Sequence, residues 1–211
     1  MKLRMVNLAA IVFAVLLLLV PYSVAQIPQL TPFSADMQVN SKSGTDVTGK
    51  IYITPEHMRS EMQTQGFGGV VITTFATKTV DVLMPQQHMY MEMTGKDMPN
   101  RPGATPSLKP FRDPSNPCAY EEGATCKKIG TESVNGRSCD HWQITDKNGK
   151  VVNVWIDQKL HFPIKTVTGD TTIQLTNIQE GSQPASLFQI PAGYQKMDMS
   201  QMMQGMRPPQ Q

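Results

Sequence analysis

The stretch of sequence that decides the fold is DHWQITDKNGKVVNVWID, residues 140–157. Apolar and polar residues alternate on both sides of Asn148 and Gly149, which is typical of two antiparallel strands joined by a tight turn. If those two residues form the centre of a type I′ turn, Trp142 lies opposite Trp155 and both indole rings share one face. The other face then carries three β-branched residues, Val152, Val154 and Ile156. A hairpin with two apolar faces needs helices, a second sheet or a ligand to cover the second one.

The same alternation continues in both directions along the chain. It predicts further strands, at residues 35–40, 47–53, 58–62, 70–84, 88–93, 162–168 and 171–178. Helical spacing is found near the C terminus, where four methionines recur at i, i+3, i+4 and i+7, namely Met199, Met202, Met203 and Met206. We therefore predict a mainly β protein built on an antiparallel sheet. A short C-terminal helix, capped by Asp198, either plugs or flanks the sheet through its methionines or is frayed.

The N terminus has the three zones of a secretory signal peptide. Lys2 and Arg4 precede an apolar run over residues 8–20, and small residues lead to a cleavage point after Ala25. Because the run is shorter than the roughly 20 residues of a membrane-spanning helix, we favour a cleaved signal over an uncleaved anchor. We predict a signal peptide at 1–25, a β domain at 26–199 and a tail rich in Met, Gln and Pro at 200–211. No cysteine follows the cleavage point to carry a lipid anchor, so we expect a periplasmic or secreted protein.

Cleavage would leave a chain without net charge. The full sequence has 19 Lys and Arg against 17 Asp and Glu, and removing Lys2 and Arg4 leaves 17 of each. Nucleic acids and anionic lipid headgroups both reward a concentrated positive surface. The balance therefore argues against either of them as the main partner.

Residues 95–117 form a long segment that fits neither a strand nor a helix. They contain six prolines, at positions 99, 102, 106, 110, 114 and 117, and regular structure does not tolerate this density. We predict a loop inside the β domain, which is either a lid or binding loop or an insertion without function.

Three cysteines in an exported chain predict one disulfide and one free thiol. A turn at Asn135 and Gly136 places Cys126 and Cys139 roughly 20 Å apart along their strands, beyond the reach of a disulfide. Cys118 and Cys126 can instead close a small loop that ties the proline-rich segment to the sheet. We predict this pair, with Cys139 left as a buried or half-buried thiol rather than a nucleophile.

The usual signatures of enzymes are missing from the sequence. It has no nucleophile elbow, no glycine-rich phosphate loop, and no cysteine or histidine pair at the spacing of a zinc site. The four histidines fall in different predicted strands and turns, and the carboxylates are scattered. We therefore predict a protein without enzymatic activity and without a cofactor.

Methionine is the unusual residue of this chain, since 13 of the 15 remain after the signal peptide. Met89, Met91 and Met93 point to one side of a predicted strand, whereas His88 points to the other. Three interpretations stay open. The methionines pack an ordinary core, line an adaptable apolar cavity, or bind Cu(I) through the thioethers of Met89, Met91 and Met93.

Five stretches carry a resemblance to a known family. They are GKIYITPEHMRSEM (49–62), VDVLMPQQHMYMEM (80–93), GTESVNGRSCDHWQI (130–144), VWIDQKLHFPIK (154–165) and LFQIPAGYQKMDM (187–199). Their order resembles an exported bacterial family of unknown function that is related to the periplasmic lipoprotein carriers of the Lol system. The resemblance extends over residues 33–199, most of the mature chain.

The resemblance implies a strongly curved antiparallel sheet, an open half-barrel whose concave apolar face holds an acyl chain or a lipid-like ligand. It implies ligand contacts at inward-facing strand positions, namely Met37, Ile51, Met62, Met91 and Trp155. The implied function is a non-catalytic carrier or binder of a lipid, an acyl chain or a lipoprotein. The alternatives are a Cu(I)-handling protein and a domain that interacts with envelope proteins and holds no small ligand.

Overall fold

The computed structural model describes residues 30–42, 46–64, 67–94, 113–119 and 122–197. These residues form twelve strands in one sheet: β1 (Phe33–Ser41), β2 (Val47–Ile53), β3 (His57–Thr64), β4 (Phe67–Thr74), β5 (Thr79–Met84), β6 (Met89–Met93), β7 (Thr125–Val134), β8 (Arg137–Thr145), β9 (Val151–Asp157), β10 (Phe162–Thr168), β11 (Thr171–Glu180) and β12 (Gln195–Lys196). Short 3-10 helices occupy Pro85–Gln87 and Ala185–Phe188. The predicted signal peptide and C-terminal helix lie outside the described residues.

The strands follow the order β12-β6-β5-β4-β3-β2-β1-β11-β10-β9-β8-β7. Every neighbouring pair is antiparallel except β12 and β6, which run parallel. The sheet is curved and unclosed, with β12 and β7 at its two edges. The prediction of a mainly β, curved antiparallel sheet is therefore confirmed.

The first six strands form a meander whose turns were only partly predicted. Thr54 forms the turn between β2 and β3, because its hydroxyl accepts hydrogen bonds from the amides of Glu56 and His57. The prediction of one run from Val70 to Met84 is wrong, since a turn at residues 75–78 divides it into β4 and β5. Lys78 takes a positive φ of 54° there, although the turn contains no glycine, proline or asparagine to signal it.

The predicted pairing of Trp142 with Trp155 is also wrong, by one residue. Trp142 lies opposite Val154, and Trp155 lies opposite His141, so the two indoles point to opposite faces. The carboxylate of Asp146 accepts hydrogen bonds from the amides of Asn148 and Lys150, which turns the connection into a three-residue loop instead of a two-residue type I′ turn.

The turn between β7 and β8 has the predicted form. Asn135 and Gly136 have positive φ values of 52° and 78°, as a type I′ turn requires, and Glu132 lies opposite Cys139. A bulge between Lys128 and Gly130 then shifts the register, so that Cys126 opposes Ile144 and not Thr145 as predicted.

The main core lies under the middle of the sheet. It consists of fully or almost fully buried side chains from seven strands and one connection, namely Phe33, Ala35, Met37, Ile51, Ile53, Val134, Cys139, Trp155, Leu160, Phe162, Ile164, Ile173 and Leu175. Phe33 and Phe162 pack edge to face, with ring centroids 5.4 Å apart. An irregular register between Pro163 and Lys165 bends β10, which lets β8 and β9 contribute to the same core as β1 and β2.

A second, smaller core lies on the opposite face of the sheet. Val70, Ile72 and Leu83 are buried there beneath Phe188 and Tyr194, which belong to the segment that follows β11. The same segment is fixed to β3 because Arg59 donates a hydrogen bond of 2.8 Å to the carbonyl of Leu187. Residues 182–197 therefore run across the outside of the sheet and end as β12 beside β6.

A buried ion pair joins three strands in the half of the sheet that contains β8–β11. Arg137 donates to both carboxylate oxygens of Asp157, whose side chain is almost completely buried, and also to Glu180 at 2.9 Å. Asp157 further accepts the amides of Lys159 and Leu160 at 2.8 and 2.7 Å. The hydrogen bond to Asp157 is the main cause that raises the pKa of Arg137. This clamp connects β8, β9 and β11.

We expect Gly49→Ala to lower the free energy of unfolding by about 1–3 kcal/mol, the cost of overpacking, measured in urea. An added Cβ would lie 2.0 Å from the carbonyl oxygen of Glu61, a backbone atom that cannot move away on its own. Gly130→Ala is the matched control, because a Cβ there meets nothing within 4 Å. Equal unfolding midpoints for the two variants would contradict the close approach of β2 and β3.

We expect Arg137→Met to destabilise the protein by about 3–5 kcal/mol, because it leaves the Asp157 carboxylate buried without its counter-ion. Lys128→Met is the control: its ion pair with Asp140, at 2.7 Å, is partly exposed, and its loss should cost less than about 1 kcal/mol. Chemical unfolding monitored by tryptophan fluorescence measures both. A small effect of Arg137→Met would show that the clamp does not hold the strands together.

Candidate functional site

The register of the meander brings scattered methionines onto one face of the sheet. Phe33, Ile53, Met58, Thr73, Val80 and Met93 form one continuous row across six strands, and Ala35, Ile51, Ser60, Val71, Val82 and Met91 form the next. Residues directly opposite each other in neighbouring strands point to the same side. The methionine face is the part of this side that belongs to β3–β6. Its described side chains are Met58, Ser60, Met62, Val71, Thr73, Val80, Val82, Met84, Met89, Met91 and Met93.

The methionine face carries no charge among these described side chains. The charged residues of the same strands, Arg59, Glu61, Asp81 and Glu92, alternate to the opposite side, where the segment that follows β11 crosses the sheet. The alternation of β-strands thus sorts the side chains into one uncharged face and one mixed face.

Burial changes along this side of the sheet. Phe33 and Ile51 are 0% exposed and Met37 is 5% exposed, because they belong to the closed core. Every side chain of the methionine face is only half-buried, including Met62 and Met91. An uncharged apolar surface that stays only half-buried indicates a binding site for an apolar partner.

Two of the five predicted ligand contacts lie on the half-buried methionine face. Met62 and Met91 belong to the methionine face, whereas Met37 and Ile51 are closed off inside the core and contact other protein side chains. The resemblance and the alternation give the side to which a residue points, and they do not show whether the chain itself covers that side.

Trp155, the fifth predicted contact, is held by three other residues of the chain. Its indole Nε1 donates to Glu132 at 2.8 Å, and its ring stacks on His141 with centroids 4.1 Å apart. The ammonium of Lys165 lies 4.4 Å above the ring, a favourable cation–π distance. At 8% exposure, Trp155 is a structural residue of the core and is not part of the methionine face.

Met89, Met91 and Met93 point to one side of β6, as predicted, and Met84 lies directly opposite Met89. Sequence reasoning missed the contribution of Met84, because the turn at residues 75–78 was not foreseen and the register across β4 and β5 depends on it. His88 sits in the connection to β6 with φ 50°, where its ring meets Tyr194 edge to face at 5.8 Å.

Other parts of the surface offer polar cavities. One of about 420 Å³ is lined by Asp36, Lys50 and Glu61, which oppose one another in successive strands. Another of about 520 Å³ lies against Arg137 and Glu180 of the buried clamp. Charged side chains line both cavities, so neither has the character of an apolar site.

Within the described ranges, no cluster of three or more His, Cys, Asp or Glu side chains is arranged to hold a metal ion. Nor does that part of the chain contain a helix of the length and apolarity needed to cross a membrane.

The predicted disulfide between Cys118 and Cys126 is present, with Cα atoms 5.7 Å apart. It joins β7 to the end of the proline-rich segment, where Asp113 stabilises a turn by accepting the amide of Ser115 at 2.9 Å. Pro114 and Pro117 are buried in this turn region. The remaining residues of that segment, 95–112, lie outside the described part of the chain.

Cys139 is free and completely buried. Burial, reinforced by the charge of Asp157, raises the pKa of its thiol to about 12. A thiol that is neutral and inaccessible is neither a nucleophile nor a metal ligand.

We expect Cys139 to remain unreactive toward dithionitrobenzoate in the folded protein at pH 8. Only the thiolate reacts, and burial suppresses both its formation and the access of the reagent. After unfolding in guanidinium chloride, the same sample should release one equivalent of thionitrobenzoate. Reaction at the rate of a free thiol before unfolding would contradict the buried position.

Comparison with a family model gives a match over residues 34–161, more than half of the chain. The chain belongs to the DUF4412 family. This family is described as a domain of unknown function, and the matched residues extend from β1 to the end of the turn after β9. No match was found among curated proteins.

Solved structures resemble this chain at low sequence identity. An uncharacterized conserved protein from Thermus thermophilus superimposes with a TM-score of 0.54 at 12% identity, covering 79% of this chain and 90% of that chain. The MucA/MucB complex of Pseudomonas aeruginosa gives 0.49 at 16% identity, covering 77% and 56%. A LolA superfamily protein from Nitrosomonas europaea gives 0.32 at 9% identity, covering 77% and 91%. The family match confirms the resemblance to a family of unknown function, and a LolA superfamily protein is among the structural neighbours.

Proposed function

We propose that this DUF4412 protein is an exported, non-catalytic binder or carrier of a hydrophobic ligand in the bacterial periplasm. The ligand is a lipid, an acyl chain or the acyl part of a lipoprotein. The observation that carries the proposal is the methionine face, which is uncharged and only half-buried on all its described side chains. The signal-peptide pattern at residues 1–25 and the resemblance to the Lol carriers support the export and the class of ligand.

The energetics favour a flexible apolar chain as the ligand. Each buried methylene contributes about 0.8 kcal/mol, so a chain laid along the methionine face gains affinity in proportion to its length. Methionine side chains are unbranched and polarizable, which lets them adapt to chains of different length and unsaturation. A face without charges holds the acyl part of an amphiphile and leaves its headgroup to solvent or to other residues.

One observation supports a second candidate, the handling of Cu(I). Met84 and Met89 lie directly opposite each other, and Met91 and Met93 follow on the same side of β6. Thioethers are suitable ligands for this soft ion in exported proteins. Both candidates use the same face, but only the metal requires sulfur.

The first test measures binding of a dansylated undecanoic acid to the exported protein by fluorescence titration. We expect Met62→Glu to weaken binding about tenfold or more, because it places a charge under the chain. Gln63→Glu is the matched control: it adds the same charge at the neighbouring position of β3, which is exposed and points to the other face. Unchanged affinity in Met62→Glu would remove the methionine face as the site, and no binding by the unmodified protein would remove the function.

A triple variant, M89L/M91L/M93L, separates the two candidates. Leucine keeps the apolar volume and removes the thioethers, so acyl binding should stay within about twofold. Retention of Cu(I) against a chelator should be unaffected if the ligand is a lipid, because no thioether is then used. If the triple variant loses Cu(I) that the unmodified protein retains, the second candidate replaces the first.

A further inference from the structure

We propose that Trp142 and Thr168 form a second binding site on β8–β10, which holds the ester carbonyl groups of a lipid. The inference deepens the proposed function and rests on it in taking the ligand to be a lipid. It adds that the acyl chains of this lipid are linked as esters. Two buried hydrogen-bonding atoms carry it, the indole Nε1 of Trp142 and the hydroxyl oxygen of Thr168, which have no partner within the described part of the chain.

Both residues lie on the same side of the sheet as the methionine face. Directly opposed residues continue the row of Trp142 across the sheet as far as β2, through Val154, Thr166, Ile173, Val39 and Val47. Val39 is two residues from Met37 on β1, and Met37 is in one row with Gly49 and Met62. Side chains of one row share a side, as do residues two apart in a strand. Thr168 is two residues from Thr166 and therefore points the same way.

The surroundings of the two atoms are mainly apolar. The β8–β10 surface consists of the side chains that these three strands place on this side around them, namely Trp142, Ile144, Val152, Val154, Thr166 and Thr168. Thr168 is only 7% exposed, although the exposed turn residues Gly169 and Asp170 follow it directly. A ligand site typically combines such an apolar lining with a few polar groups that fix the orientation of the ligand.

Two further buried atoms of the described ranges lack a hydrogen-bond partner, but they do not belong to this surface. One is a carboxylate oxygen of Asp81, which is paired in register with Glu92 on the mixed face of the sheet. The other is Nδ1 of His161, in the connection between β9 and β10. Trp142 and Thr168 are thus the two that share one surface. Buried polar groups are nearly always hydrogen-bonded, so this pair indicates a partner from outside the chain.

The chemistry of the two atoms selects the partner. An indole N–H can only donate a hydrogen bond, and a threonine hydroxyl can donate as well, so the ligand has to supply acceptors. β8 and β10 are two strand spacings apart, about 10 Å. The two donors therefore suit two separate acceptor groups of one molecule better than a single atom. The two ester carbonyls of a diacylglycerol are such a pair.

The charges near this surface favour a neutral acceptor over an anionic headgroup. The ammonium of Lys128 lies 5.8 Å from the ring of Trp142, but it is paired with Asp140 at 2.7 Å. Beside Thr168, Lys42 is paired with Asp170 at 3.1 Å. A phosphate or a carboxylate that leaves water needs a cation as its partner. An ester carbonyl is a neutral acceptor attached directly to an apolar chain, which matches donors set among valine and isoleucine side chains.

The experiment compares two lipids that differ in their carbonyl groups. Dioctanoylglycerol is a diester, and dioctylglycerol is the ether analogue with the same chain length and hydroxyl group. We expect the unmodified exported protein to bind the diester about tenfold more tightly in isothermal titration calorimetry, the size of effect that one or two net hydrogen bonds supply. A site built around buried donors discriminates against the analogue because those donors are left unpaired.

Two conservative variants assign the preference to the two residues. Thr168→Val keeps the shape and removes the hydroxyl, and Trp142→Phe keeps an aromatic ring and removes the N–H. We expect each to weaken binding of the diester about threefold to fivefold and to leave binding of the diether within about twofold. Thr172→Val is the matched control, because it makes the same change on the other side of the sheet, where Thr172 opposes Val167. It should bind both lipids like the unmodified protein.

A spectroscopic readout tests the hydrogen bonds directly. The carbonyl stretching band of bound dioctanoylglycerol should lie at lower frequency in the unmodified protein than in W142F/T168V. Equal affinity of the unmodified protein for diester and diether overturns the inference without the use of any variant. An equal loss of both lipids in Trp142→Phe and Thr168→Val also overturns it, since the two residues would then shape the site and not bind the carbonyls.

The same measurements separate this inference from the proposed function. If the dansylated undecanoic acid binds and depends on Met62, while diester and diether bind equally, the methionine face remains the ligand site and the carbonyl site is wrong. If the diester is preferred through Trp142 and Thr168 but Met62→Glu has no effect, the carbonyl site is right and the methionine face is not the place of the acyl chains. Binding of none of the three probes contradicts the proposed function itself and, with it, this inference.

Discussion

The structure depends on one constraint: within the described chain a single sheet has to bury its own apolar face, since the helices there are only two short 3-10 turns. An apolar face of one sheet is shielded only if the sheet bends, so that side chains of distant strands meet. The irregular register in β10 supplies the bend, and the buried pair of Arg137 and Asp157 fixes it by connecting β8 and β9 to Glu180 on β11. The core between β1 and β9 is closed as a result, with Phe33, Ile51 and Phe162 removed from solvent.

Closure at one end leaves the other end open. β3–β6 continue the same apolar side beyond the region where strands curl over it, and the chain after β11 supports these strands from the outside through Phe188 and Tyr194. This arrangement gives the four strands a rigid backing while their methionine face stays half-exposed. A stable fold and an accessible apolar surface normally conflict, because the free energy of folding favours burial of that surface. In this sheet the closed core and the half-buried apolar face lie on different strands, so the two requirements do not conflict.

The sequence predicted the elements better than the way they face each other. Asn135 and Gly136 indicate a turn because both residue types tolerate a positive φ, and the β7–β8 hairpin could be predicted from them. Asn148 and Gly149 indicate the same type of turn. The Asp146 carboxylate, however, accepts hydrogen bonds from two backbone amides of the loop, which is one residue longer than predicted. A shift of one residue sends every side chain to the other face, which is why Trp142 and Trp155 were paired incorrectly. The disulfide was predictable because geometry excluded a competing pair. The methionine face was not, since it requires the correct register across three consecutive strand pairs and a turn around Lys78 that no residue type indicates.

The choice of methionine is informative beyond its position. Val71, Val80 and Val82 form the central columns of the methionine face, on β4 and β5, and are stiff; the flexible methionines lie on both sides, on β3 and β6 and at the end of β5. Stiff valines in the centre with flexible methionines on both sides suit a ligand of variable shape, because the methionine side chains adapt while the backbone of the sheet stays in place. Leucine or isoleucine in place of these methionines would offer more fixed contacts and would favour a ligand of a single shape. The same property lets one surface accommodate apolar chains of different length, because such chains require no specific hydrogen bond and bury the same uncharged side chains.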